Sequence, residues 1–206
     1  MRLLAMDEVL SSLSETQRSR LRHARVGIAG AGGLGSNVAM MLARSGVGTL
    51  LVIDGDRVEP SNLNRQHYFP VHVGRLKVEA LAEQLLALNP GMNVETHAVW
   101  LDRTNIAPLL AGAELWIEAL DGPETKALFA TCALSAAKPV ICASGMGGVG
   151  GFAMKRRLMG GMTVVGDFRS DVAELPPLAP RVMQCAAMQA DAALEWLLTG
   201  TMKELL

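Results

Sequence analysis

The chain is short of cysteine, aromatic residues and net charge, and each shortage closes off a class of function. Of its 206 residues three are cysteines, and Cys132, Cys142 and Cys185 stand apart with no C-x-x-C pair. Neither a disulfide framework nor a thiolate zinc site is therefore expected, and a reducing cytoplasm is the default compartment. The formal net charge of −1 is far from the basic balance of a nucleic-acid binder, so no nucleic-acid partner is expected. No apolar run reaches the ~20 residues that a spanning helix needs. A long uncharged stretch, Pro139 to Met154, is broken by glycines, and no membrane partner is expected. The apolar patch in MRLLAMDEVLSS is brief and runs into Asp7 and Glu8, unlike a secretory leader. What the chain does have is 50% hydrophobic residues and 21 glycines, the composition of a Gly-rich α/β protein. Its length suits one domain, expected over residues 1–206 with 1–24 as an N-terminal helical extension.

The clearest signal runs from Arg25 to Asp56. A short apolar strand at Val26 and Ile28 leads into Gly30, Gly32, Gly33 and Gly35, a helix follows from Ser36 to Ser45, and a second strand ends at Asp54 and Asp56. Gly30, Gly32 and Gly35 fit G-x-G-x-x-G, in which missing side chains let the backbone turn sharply and approach a phosphate at a helix N-terminus. A turn that needs glycine only for its geometry would look the same at those positions. The acid about twenty residues past Gly35, at the end of a strand, favours a nucleotide site. The spacing leaves the choice of nucleotide open.

The rest of the chain supplies the surroundings. Ser14 and Gln17 form a capping box that opens a helix from Glu15 to about His23, with Arg18, Arg20 and Arg22 on it. A solvated basic face and a source of cations for a binding site both fit that pattern. Residues 57–77 form a polar segment without period, and loops of about this length are usually functional. It holds Asn62, Asn64, Arg65 and Gln66, then Gly74, Arg75 and Lys77 at the start of a helix marked by Val78, Leu81, Ala82 and Leu85. Lys77 in a first helical turn is opposed by the helix dipole by roughly a few tenths of a kcal/mol, a penalty that a nearby anion would remove.

Asn93 to Val99 and Glu114 to Leu120 read as strands, with a short helix from Thr104 to Leu110 between them. Pro123 to Ala137 reads as a helix, Val140 to Ala143 as a buried strand, and FAMKRRLM with Met162 to Val165 as an edge pair. Asp171 to Pro180 is an irregular crossing loop, and a helix from Arg181 to Leu198 closes the chain. The expected fold is a Rossmann-like three-layer α/β arrangement with a mostly parallel central sheet and C-terminal antiparallel edge strands. Ligands of such sheets lie beyond the carboxyl ends of the strands, which puts Asp54, Asp56 and Asp121 on one rim near Arg65 and Lys77. Each acid alone is an ordinary turn former. Together they suit a triphosphate with a divalent metal: an acid for ribose hydroxyls, cations for phosphate, and a carboxylate for Mg²⁺.

Several motifs then resemble one family. GxGGLGSN (Gly30 to Asn37), GVG (Gly46 to Gly48), DxDxVExSNLNRQ (Asp54 to Gln66), GxxK (Gly74 to Lys77) and NP (Asn89-Pro90) are similar to the ThiF/MoeB/ubiquitin-activating-enzyme adenylation family. The resemblance implies ATP-dependent adenylation of the C-terminal glycine carboxylate of a small ubiquitin-like carrier protein ending in Gly-Gly, carried out by a homodimer. It places Gly30, Gly32, Gly33 and Gly35 near the ATP phosphates, Asp54 on the ribose, and Asp56, Asn62, Asn64 and Gln66 in the same binding motif. Arg65 and Lys77 would contact phosphate and Asp121 would hold Mg²⁺.

There are departures from the family pattern. Asp121-Gly122 with Lys126 stands where the family often has Asp-Asn followed by an arginine, and the paired CxxC zinc motifs are absent, so no zinc is expected. GMGGVG, the Gly166-Asp167 pair and PRVMQCAAMQA resemble a shorter ThiF-like branch linked to thiamine biosynthesis, in which a sulfur donor turns the adenylate into a thiocarboxylate. Cys185 is open to a part in that step or to a plain buried role. Members of the wider family borrow an arginine from a partner's N-terminal region, for which Arg18, Arg20 and Arg22 are equal candidates. Two other functions share parts of the pattern. An NAD-dependent oxidoreductase has the glycine turn and the acid after the second strand but gives the SNLNRQ loop no role, and a catalytically idle carrier-binding module would tolerate the departures at Gly122 and Lys126.

Overall fold

The computed structural model describes residues 6–205; the first five residues of the expected N-terminal extension lie outside the described residues. After a short helix α1 (Met6–Val9), α2 (Glu15–His23) opens with the expected capping box: Gln17 N–H donates to Ser14 Oγ and Ser14 N–H to Gln17 Oε1. The central sheet has seven strands in the order β3-β2-β1-β4-β5-β7-β6. Its first strands are β1 (Arg25–Ala29), β2 (Thr49–Ile53) and β3 (Asn93–His97), followed by β4 (Leu115–Glu118) and β5 (Val140–Ala143). Then come β6 (Lys155–Met159) and β7 (Met162–Gly166), which pair antiparallel. The sequences TLLVI, LWIE and VICA are continuous apolar runs because these strands are covered on both faces. β3, with the alternating NVETH, lies at one edge and is only partly covered.

Helices α2, α3 (Gly33–Arg44), α4 (Lys77–Leu88) and α7 (Ala179–Thr199) cover one face, meeting it through Leu21, Val38, Leu81 and Ala186. On the other face lie α5 (Ile106–Leu110) and α6 (Pro123–Ser135), where Trp116 and Phe129 meet edge to face at 5.4 Å with no exposure. Burying each such ring contributes roughly 1.5–3 kcal/mol, which makes this pair a main anchor of that layer. The result is the three-layer, mostly parallel sheet expected from the sequence.

Several ends shift by about two residues: β3 stops at His97 rather than Val99, α5 starts at Ile106 rather than Thr104, and α7 starts at Ala179 rather than Arg181. Two further readings change. α3 begins at Gly33 rather than Ser36, because the glycines after Gly32 already follow the helical path and the Ser36 N–H closes the first turn on Gly32 O. Residues 57–76 are ordered by two 3₁₀ turns, Pro60–Asn62 and Pro70–His72, by buried Val58 and Tyr68, and by hydrogen bonds of Val58 N to Arg75 O and Gly74 N to Val58 O. The polar surface of that segment hides its two apolar anchors in the sequence. At the far edge, Leu205 exchanges two backbone hydrogen bonds with Arg156, so the end of the described chain caps β6.

The sheet reverses its winding at β1. β2 and β3 lie to one side of it and β4 and β5 to the other, so a crevice opens beyond the carboxyl ends of β1 and β4.

Candidate active site

A cleft of ≈ 620 Å³ occupies that crevice, lined among others by Gly33, Asp54, Arg65, Lys77, Trp100 and Asp121. Its floor is the glycine turn. Gly30 has φ +97, and a Cβ on it would lie 2.5 Å from Ala119 O; a Cβ on Gly35 would lie 1.8 Å from Gly30 O. These two glycines let β1, β4 and α3 approach one another, while Gly32 and Gly33 present backbone to the cleft. Ser36 and Asn37, both buried, sew the turn to the polar segment: Ser36 Oγ donates to Gly32 O and accepts from His67 N–H, and Asn37 Nδ2 donates to Gly33 O and Arg65 O. Sequence reasoning missed that role, although the Ser-Asn pair stands in full view after the glycines.

Asp54 holds the next strand end. Its Oδ2 accepts from Ala31 N–H and its Oδ1 from Asp56 N–H, each at 2.7 Å. Burial lifts its carboxyl above the ordinary value; Lys77 and the two N–H donors oppose the shift without cancelling it. Asp56 takes Lys77 Nζ at 2.7 Å, and the Lys77 side chain is only 8% exposed. The anion that relieves Lys77 at the start of α4 is thus in place in the protein itself. Tyr68, whose hydroxyl donates to Ala31 O and Lys77 O, ties α4 to the glycine turn; burial, then the nearby Asp54 and Asp56, push its hydroxyl far up.

Arg65 reaches Ser61 O and Asn64 Oδ1 through Nη1 and has no carboxylate partner among the described residues. It is a cation held at the cleft wall by neutral groups. Asn62 and Asn64 do not line the cleft: Asn62 Oδ1 accepts from Glu59 N–H within the first 3₁₀ turn, and Asn64 orients Arg65. Gln66 does line it, with a buried Oε1 that has no hydrogen-bond partner among the described residues.

Asp121 is exposed on the opposite rim. Its position is set through Leu120, whose N–H donates to Glu118 Oε1 at 2.8 Å and whose carbonyl accepts from Lys126 Nζ at 3.1 Å. Lys126 also contacts both oxygens of Glu118, at 2.9 and 2.8 Å. Glu118 is 1% exposed, and burial raises its carboxyl against the opposing pull of Lys126. Lys126, a departure from the family pattern in sequence, is therefore half of an ion pair with the buried Glu118 that holds the Leu120 backbone next to Asp121. Magnesium is commonly held by one or two carboxylates together with substrate phosphates; Asp121 fits as such a carboxylate. No group of three His, Cys, Asp or Glu among the described residues would hold a metal unaided.

The third wall comes from the C-terminal part. Asp167 pairs with Arg181 Nη2, its Oδ1 accepts from the N–H groups of Arg169 and Ser170, and Ser170 Oγ donates to its Oδ2. Burial pulls its carboxyl upward, but these donors outweigh it and hold Asp167 below the ordinary value. Arg181 also donates to Gly150 O and Phe152 O, so one ion pair pins both the GMGGVG loop and the loop after β7. Cys185 is fully buried behind this wall, and burial pushes its thiol up to about 12; it does not line the cleft. The N-terminal arginines lie elsewhere: Arg18 meets Glu15, Arg20 meets Glu114 and Leu197 O, and Arg22 lies 3.6 Å from Glu15.

A glycine turn at the switch point of an open parallel sheet, with a cation-bearing cleft above it, defines a Rossmann-like α/β protein. The chain matches the ThiF family over residues 6–205 and belongs to that family. Over 129 residues it is 39% identical to the adenylyltransferase and sulfurtransferase UBA4 of Candida glabrata, covering 62% of this chain and 30% of that protein. It is 40% identical over 128 residues to uba4 of Aspergillus terreus, covering 62% of this chain and 26% of that one. The match thus spans less than a third of the length of these curated relatives. Among solved structures, the E. coli tRNA N6-threonylcarbamoyladenosine dehydratase TcdA, crystallised with AMP, superposes with a TM-score of 0.86 at 21% identity, covering 94% of this chain and 93% of that one. That likeness is one of fold.

Proposed function

We propose that this chain is an ATP-dependent adenylyltransferase that activates the C-terminal glycine carboxylate of a small ubiquitin-like sulfur carrier as an acyl adenylate. The observation that carries the reading is the grouping of Arg65, Lys77 and Asp121 around one glycine turn, with Arg65 free of any carboxylate among the described residues. Membership of the ThiF family, the adenylyltransferase names of the curated relatives, and the AMP and ATP of the TcdA structures support it.

The chemistry asks little of the side chains. A carrier carboxylate is nucleophilic at neutral pH, so no general base is needed. Its oxygen forms a bond to the α-phosphorus, the bond from that phosphorus to the bridging oxygen breaks, and pyrophosphate leaves. The protein's work is to hold the reactants in line and to stabilise charge on the phosphates. Gly30, Gly32, Gly33 and Gly35 form the floor, Asp54 accepts from the ribose, and Gln66, near Gly32, has an Oε1 without a partner among the described residues. Arg65 and Lys77 face the phosphates, with Asp56 holding Lys77 ready. Asp121 is the residue that would hold Mg²⁺, which supplies further neutralisation of the triphosphate when bound.

On this reading the chain is a single ThiF-type adenylation domain that works as a homodimer in the cytoplasm. The narrower assignment, sulfur delivery for the thiamine thiazole, rests on the GMGGVG, Gly166-Asp167 and PRVMQCAAMQA segments. ATP–pyrophosphate exchange dependent on a carrier ending in Gly-Gly tests the activity. Folded protein that binds NADH but not ATP, or gives no exchange with any cognate carrier, would sink it. Exchange with a thiazole-pathway carrier but not with carriers of other sulfur pathways tests the narrower assignment.

A further inference from the structure

The cleft is lined by two chemically different sets of residues. Arg65, whose Cγ lies 3.5 Å from where a Cβ on Gly33 would stand, and Lys77, held by Asp56, are its cations; Ile53, Val99, Trp100 and Leu101 are apolar lining, with Asp54 next to Ile53 in the chain. Trp100 is 69% exposed in a chain that is only 4% aromatic, although its indole is large and apolar. It lies in the loop between β3 and α5, and that loop is braced: Asn105 Nδ2 donates to Trp100 O at 2.7 Å, Asp102 N–H to Asn105 Oδ1, and Thr104 N–H to Asp102 Oδ1. The ring itself rests on Gly55. A Cβ there would lie 2.9 Å from Cδ2 and Cε2 of the indole, so a residue with a side chain at position 55 would lift the ring away.

We propose that Trp100 is the wall against which the nucleobase stacks, with Gly55 kept bare so that the indole can lie close beside Asp54. The inference rests on the nucleotide reading of the cleft and extends it to the part that recognises the base. A base has apolar faces, and a rigid aromatic platform takes it at little ordering cost. The adjacent acid suits ribose hydroxyls, and the cations that line the same cleft suit phosphates. An aromatic face, an acid beside it and cations at the glycine turn are the three kinds of group that a nucleoside triphosphate calls for. Stacking of this kind reads a ring rather than an edge, so Trp100 contributes affinity for any purine nucleotide.

The test compares wild-type protein with Trp100→Ala, Trp100→Phe and Gly55→Ala, titrated with ATP and with inorganic tripolyphosphate as a probe without a base. Trp100→Ala should weaken ATP binding by about tenfold to a hundredfold, Trp100→Phe should keep most of the affinity, and Gly55→Ala should fall between them. Tripolyphosphate affinity should hold in all three. ATP should also quench the fluorescence of the wild type and not of Trp100→Phe, since Trp116 is fully buried and Trp196 does not line the cleft. ATP affinity within about twofold of wild type in Trp100→Ala, or an equal loss for tripolyphosphate, would overturn the inference. Wild-type protein that binds no nucleotide would overturn it together with the reading on which it rests. Pyrophosphate exchange takes no part in this test, so a failure of adenylation and a failure of the stacking wall are separately visible.

Discussion

Lys77 and the buried thiols show how far single residues can be read. The cation was legible from its place in GxxK, and its use was not, because Asp56, which pairs with it, lies 21 positions earlier across a segment without period. Removing Lys77 leaves Asp56 in contact with water, since its side chain is already 39% exposed. Lys77→Ala should therefore cost little stability, on the order of 1 kcal/mol, while pyrophosphate exchange falls about a hundredfold to a thousandfold. Thermal melting and exchange kinetics on the same preparation check both halves. Trp100 and Glu118 were missed because each is one residue with no pattern around it, and Arg181 was visible only as part of PRVMQCAAMQA, with no sign of its pairing with Asp167; only the folded chain reveals what each faces. For the cysteines the structure decides between the alternatives. Cys142 and Cys185 are buried, and burial raises both thiols from 9.0 to about 12. Iodoacetamide at pH 8 should label Cys132, which is partly exposed, and leave the other two untouched in native protein. The sign for stability follows: raised thiols contribute stability that is fully present below pH 9.0 and is lost as pH rises through about 12.

At the scale of elements, the strands were legible because their apolar runs are short and bounded, and the mostly parallel sheet followed from the alternation of strand and helix, while the strand order did not. The start of α3 was harder. Glycine is a poor helix former, and its cost is offset here by packing that only the tertiary structure supplies. The loop after β5 and the loop after β7 were read as glycine-rich and proline-rich connections, and nothing in their sequence says that they are joined. Arg181, at the start of α7, joins them through Asp167, Gly150 and Phe152. Arg181→Met keeps the length of the side chain and leaves Asp167, 5% exposed, without its cation. Breaking a buried pair from one side costs about 3–5 kcal/mol, and amide exchange should accelerate across residues 145–152 and 167–171 while β1 and β2 stay protected. Asp167 adds a pH sign of its own. Its carboxyl is held below 3.8, so its contribution is present above that value and fades as pH falls through the depressed one. Arg181→Met should lose only part of that acid dependence, because the N–H groups of Ser170 and Arg169 and the Ser170 hydroxyl still hold the carboxyl down.

For the molecule as a whole, folding and binding are linked, because the cleft exists only where β1, β4, α3 and α7 have already met. The glycine turn, the acids after β2 with the basic segment that follows them, and the C-terminal loops are separate stretches of the sequence, and none can offer the full set of contacts in an unfolded chain. A ligand that binds the folded form alone stabilises it by RT ln(1 + [L]/Kd), about 2.7 kcal/mol at a hundredfold excess over Kd. For a chain of 206 residues, each kcal/mol moves the midpoint by about 2–4 °C, so saturating Mg-ATP should raise the melting temperature by about 5–11 °C. NAD at the same concentration should raise it far less, since its dinucleotide offers no terminal triphosphate for Arg65 and Lys77. Arg65→Ala should remove most of the ATP shift while barely changing the melting temperature of the free protein, because among the described residues that guanidinium bonds only Ser61 O and Asn64 Oδ1. An equal shift with NAD and ATP, or an Arg65→Ala protein that keeps the full ATP shift, would show that the cations do not read the phosphates. The cleft would then be a dinucleotide site, and the case for adenylation would fall with it.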